Sequence, residues 1–139
     1  MTSRRKTIKT GRSEARRYLT KAKEFCQEAT AAVASSRNDA AILNAVHAAI
    51  SAADAVCVVL GGRRSADPDH HRAADLLKEI GGTSSDIATH VRQLRELLAK
   101  TNAVEYESRL ADAKEATGAV QRAERFVAWA SDVVEAARL

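Results

Sequence analysis

Apolar positions recur at intervals of three and four residues through five stretches of the chain, the spacing of a helix with one buried face. Ala15, Tyr18, Leu19, Ala22, Phe25, Cys26, Ala29 and Val33 make the first stripe, which predicts a helix from a Ser13 N-cap to about Ser35. Residues 35–39 then break the period, with Ser36 or Asn38 placed to cap the next helix and Asp39 favourable in its first turn. The second helix is predicted from about Asp39 to Leu60, on Ile42, Val46, Ala49, Ile50, Ala53, Val56, Cys57 and Leu60. Its last turns, Ala55 to Leu60, are apolar all round, which predicts a central position, and Gly61-Gly62 ends it.

Asp67 as cap and Pro68 at the first helical position predict a short third helix to Ile80, with Ala73, Leu76, Leu77 and Ile80 facing inward. Thr83 followed by Asp86 resembles a capping box and opens a fourth helix to about Lys100, burying Ile87, Val91, Leu94, Leu97 and Leu98. Residues 101–109 lose the period and read as a structured turn. A fifth helix is predicted from about Leu110 to Ala137, and Gly118 inside it is expected to mark a close helix approach. Such a glycine costs about 1 kcal/mol against alanine. No segment alternates strictly between apolar and polar, so no strand is predicted. Five helices with short connections predict an all-α, single-domain, up-and-down bundle.

Composition adds little to that picture; charge adds more. The 139 residues suffice for one domain and a real core. Net charge is +4, but residues 1–23 hold nine Lys or Arg against Glu14 alone, so residues 24–139 sum to −4. The excess is a basic arm, assigned to residues 1–12 and expected to be frayed, ahead of a bundle over residues 13–139. Such an arm is either a solvated tail or a contact for nucleic acid. No apolar span of membrane length is read from the sequence, and no signal peptide, so a cytoplasmic protein without membrane contact is expected. Cys26 and Cys57 then stay reduced and pack as small apolar groups. The His and Cys spacings match no metal site, and no cofactor motif occurs.

Three groups of residues carry candidate chemistry. His47 and Asp54 lie two helical turns apart on the apolar face of the second helix, either as a satisfied buried pair or as the lining of a site. Arg63, Arg64, His70 and His71 surround the loop into the third helix, where guanidinium forks could hold a phosphate and His70 could act as acid or base. Arg95, Lys100, Asn102 and Tyr106 cluster at the end of the fourth helix, where Lys100 also suits the helix dipole. His90 reads as a border residue of the apolar stripe.

NAVHAAISAADAVCVVL in the second helix, DHHRAADLL opening the third, LRELLAKTNAVEYESR in the fourth and AVQRAERFVAWA in the fifth occur in an order that resembles the HEPN superfamily, over about residues 38–135. The resemblance implies an up-and-down bundle, commonly dimeric and often paired with a nucleotidyltransferase. It implies either a metal-independent ribonuclease of toxin–antitoxin or defence systems or a non-catalytic nucleotide-binding partner. Active members carry an Arg followed, after four to six residues, by a His. Here Arg95 leads to Lys100 instead, and a lysine does not shuttle protons near neutral pH as an imidazole does. The Arg-to-His spacings that fit, Arg63 or Arg64 to His70 and Arg64 to His71, fall in a different loop.

Three functions are compatible with these residues. The first is a HEPN-like module that binds RNA, a nucleotide or a partner protein without catalysis, through Arg63, Arg64, His70, His71, Arg95, Lys100 and Tyr106, with His47, Asp54 and Asn102 as a supporting polar seam. The second is a metal-independent ribonuclease using Arg64 and His70. The third is an interaction protein with no ligand.

Overall fold

The computed structural model describes residues 6–138. Five helices run up and down: α1 (Ala15–Ala34), α2 (Asn38–Gly61), α3 (His71–Gly81), α4 (Ser85–Tyr106) and α5 (Ala113–Ala136). The all-α bundle predicted from periodicity is the fold observed. α2 lies at its centre and touches each of the other four helices. Its alanines explain how. Ala41, Ala45, Ala48, Ala49, Ala52, Ala53 and Ala55 are fully buried, as are Ala15, Ala22 and Ala29 of α1. Side chains this small let helix backbones approach closely and fill the core without voids.

α2 is also long and apolar enough to cross a membrane, which corrects the expectation that no such span exists. Two-thirds of its most apolar window is buried inside the bundle, so its apolar character is that of a core helix.

Several boundaries differ from the sequence expectation, each for a local reason. Ser36 does not cap α2. It takes a left-handed conformation (φ 59°) and ends α1, with Arg37 N–H donating to Ala32 O and Ser36 N–H to Val33 O. The amide of Asn38 instead donates to Ala111 O, and the Asp39 carboxylate accepts from Ala111 N–H, tying the segment before α5 to the start of α2. α3 begins at His71 rather than Pro68, because successive Asx turns carry the chain in: Asp69 N–H donates to Asp67 and His71 N–H to Asp69. The cap of α4 is Ser84, which accepts from Ile87 N–H, not Thr83. α4 continues to Tyr106, so the expected turn over 101–109 is mostly helix. α5 starts after its Asp112 cap, leaving Leu110 outside and 78% exposed. Gly118 marks no close approach: a Cβ there would meet nothing within 4 Å.

The absence of strands is corrected too. Thr7–Lys9 (β1) pairs antiparallel with Arg63–Ser65 (β2), Ile8 opposite Arg64. Thr10 N–H to Gly62 O and Ala66 N–H to Lys6 O extend the pairing at both ends. The arm is therefore not frayed through residue 12; residues 1–5 lie outside the described residues. Each strand is three residues long, with one apolar residue in β1 (Ile8) and none in β2, too short a run for periodicity to register. Gly62, left-handed at φ 67°, ends α2 and turns the chain into β2.

Candidate functional site: a polar hollow between the α3 entry and the end of α4

The Asx turns before α3 and the extension of α4 bring two sequence-predicted groups together. His70 and His71 meet Asn102 and Tyr106 across a hollow of about 200 Å³. Leu98, Thr101, Asn102, Glu105 and Tyr106 supply its α4 side. Tyr106 is 77% exposed, its ring free on the rim. Thr101 contributes a buried hydroxyl with no protein partner. Thr101 and Glu105 were not singled out in the sequence. The signal was present: with α4 carried to Tyr106, Leu98, Thr101, Asn102 and Glu105 share one helix face.

His47 extends this cluster inward. Its ring packs 5.5 Å from Phe25 and meets His70 edge-on at 5.8 Å. Burial lowers the His47 pKa, proximity to His70 lowers it further, and Glu105 opposes both. His47 is thus held towards the neutral imidazole, able both to donate and to accept a hydrogen bond.

Asp54, the other half of the seam, lies two turns further along the same face of α2, near Arg64 and Lys21 rather than His70. Burial raises its pKa to about 7, while Arg64 and Lys21 pull it back. His47 and Asp54 do not form the satisfied pair that their spacing allowed.

The remaining candidates disperse. Arg64 lies over the Tyr18 ring at 5.6 Å and donates to Ser65 O. Arg63 pairs with Glu79 at 3.4 Å. Arg95 is held by Asp75 at 2.8 Å, a short charge-assisted bond that fixes its guanidinium between α3 and α4. Lys100 lines two other hollows, one against α5 and one against the start of α2, and does not line that of His70. No single anion seat unites these cations. His90 does more than border the core: it stacks on Trp129 at 3.9 Å. Both thiols are pushed up by burial, Cys26 to about 11 and Cys57 higher still, so neither is a ready nucleophile. Among the described residues no cluster of His, Cys, Asp and Glu could hold a metal ion.

A five-helix bundle with a shallow polar hollow at one end defines a small all-α domain class. The HEPN domain model matches residues 15–133, and the chain belongs to the HEPN domain family. No curated protein matches it.

Proposed function

We propose that the protein is a non-catalytic HEPN module that binds RNA or a nucleotide at the His70–Tyr106 hollow. One observation carries this reading: His70, His71, Asn102 and an exposed Tyr106 ring converge on one open hollow. A solvent-facing aromatic ring stacks on any base, and the amide and imidazoles beside it offer hydrogen bonds to base edges. The basic β1–β2 pair adds charge that favours a polyanion. Catalysis is disfavoured because Arg95 is tied to Asp75 and Lys100 stands at the motif's His position. The alternative ribonuclease using Arg64 and His70 has less support, since Arg64 covers Tyr18 and does not line the hollow.

The test is RNA binding by fluorescence anisotropy at low salt, with EDTA present. The wild-type chain is expected to bind and to leave the RNA intact. Tyr106→Ala is expected to weaken binding about tenfold, as loss of one stacked base does. An RNA affinity unaltered by both Tyr106→Ala and His70→Ala sinks the assignment, and cleavage that His70→Ala abolishes replaces it with the ribonuclease. A cytoplasmic homodimer working beside a nucleotidyltransferase-like partner in a toxin–antitoxin or defence pair belongs to the same proposal and is supported by family membership alone.

A further inference from the structure

On the opposite flank of α4 from the His70 hollow, a groove of about 640 Å³ runs along the first half of α5. Lys114, Gly118 and Arg122 follow one another at intervals of four on α5, so they form a single row; Lys100 of α4 faces them, and Thr117 and Gln121 add a hydroxyl and an amide. Lys100 and Arg122 are half-buried, yet neither has an acidic partner among the described residues. Long cationic side chains lay their stems along the protein and keep the charged head in water, where an anionic ligand can meet it. The single acid lining the groove, Glu115, is already engaged by Arg109 at 2.9 and 3.4 Å, so it does not neutralise the three cations.

Gly118 is the second observation. It sits inside a 24-residue helix, where glycine is the least favourable residue after proline. Nothing in the fold requires it: its conformation is not left-handed, and a Cβ there would meet no atom within 4 Å. Its effect is to leave the floor of the groove bare, between Lys114 and Arg122, so that a ligand can approach the α5 backbone.

We infer that this groove seats a run of phosphate groups, held by Lys100, Lys114 and Arg122 over the bare backbone at Gly118. Its volume suits a nucleotide-sized ligand. The inference stands apart from the His70–Tyr106 reading, because the two hollows share no residue.

Isothermal titration calorimetry of the full chain, without metal, with ATP, inorganic triphosphate and a 5′-hydroxyl RNA oligonucleotide tests it. ATP and triphosphate are expected to bind saturably, and Arg122→Ala or Lys100→Ala to weaken them tenfold or more. Gly118→Ala is expected to raise the Tm of the free chain while weakening the same ligands, an opposition that a purely structural role does not produce. Tyr106→Ala is expected to leave triphosphate affinity unchanged, which separates this groove from the other. If only the RNA binds, and Arg122→Ala and Lys100→Ala weaken it, the phosphates are those of an RNA backbone and the seat stands. Absence of binding by all three probes overturns the inference, as does binding that Lys100→Ala, Arg122→Ala and Gly118→Ala all leave unaltered.

Discussion

Phe126→Ala is expected to destabilise the fold by about 3–5 kcal/mol, the usual range for emptying a fully buried aromatic site. Phe126 is 0% exposed and is the largest of the fully buried side chains. It does more than fill volume. Its ring meets Trp129 at 5.3 Å and His90 at 6.0 Å, both edge-on, while His90 and Trp129 stack face to face at 3.9 Å. Trp129 Nε1 in turn donates to the Asp86 carboxylate at 2.9 Å, and the His90 ring lies 2.8 Å from Asp86 O. The three rings and one acid bind the first turns of α4 to the second half of α5. Removal of Phe126 takes away the inner wall of that stack, and neighbouring alanines such as Ala123 and Ala130 cannot swing in to fill the space. Urea denaturation with linear extrapolation measures the loss. Phe126→Leu, which keeps most of the volume, is expected to lose far less. Equal losses in the two variants would mean that ring contacts, not volume, carry the effect.

The architecture was legible because a helix announces its buried face through periodicity alone. The all-round apolar run Ala55 to Leu60 correctly predicted that α2 is central. The boundaries were less legible because caps compete. Ser36, Asn38, Asp39, Thr83, Ser84 and Asp86 are all good capping types, and only tertiary contacts decide which ones cap. Asp39 and Asn38 are claimed by Ala111, and Asp86 by Trp129, leaving Ser84 to cap α4. The β1–β2 pair was not legible at all. Its strands, TIK and RRS, are three residues each, too short for alternation to stand out, and its hydrogen bonds join positions more than fifty residues apart.

The candidate site was half legible for the same reason. His70 and Tyr106 were visible as residue types, but their meeting depends on α4 running past Lys100. The sequence ended α4 where the apolar stripe thinned, yet Val104 still packs against the core and Glu107 N–H still reaches Ala103 O. That extra helix settles the two flanks of α4. Thr101, Asn102, Glu105 and Tyr106 turn towards α3, whereas Lys100 turns towards α5 and the start of α2. Proximity in sequence had suggested one cationic cluster around Lys100 and Tyr106. Helical geometry divides it in two, and the fate of Arg95, locked to Asp75, removes a third member.

The stability of the fold is expected to fall as pH rises from about 4 to about 7, through Asp54. Folding buries this carboxyl on α2 and moves its pKa from 3.8 to about 7, against the opposing pull of Arg64 from β2 and Lys21 from α1. Cys57, beside it on α2, stays uncharged because burial holds its own pKa well up. Between pH 4 and 7 the folded chain therefore keeps a proton that the unfolded chain has released. Stability is lost wherever the folded state binds more protons, so the slope is negative across that window and flat above it. Asp54→Asn abolishes the charge and the slope. It is expected to leave the protein about 2 kcal/mol more stable than wild type at pH 8, roughly half of what a wholly dry carboxyl would give, because Asp54 keeps some contact with water. His47 acts in the opposite sense, since its lowered pKa costs stability as pH falls below its usual 6.5. The difference between wild-type and Asp54→Asn urea curves, measured from pH 4.5 to 8.5, cancels the His47 contribution and isolates that of Asp54. A difference that stays constant across the whole range would show that Asp54 is already ionised in the folded chain at pH 4.5, with Arg64 and Lys21 outweighing its burial.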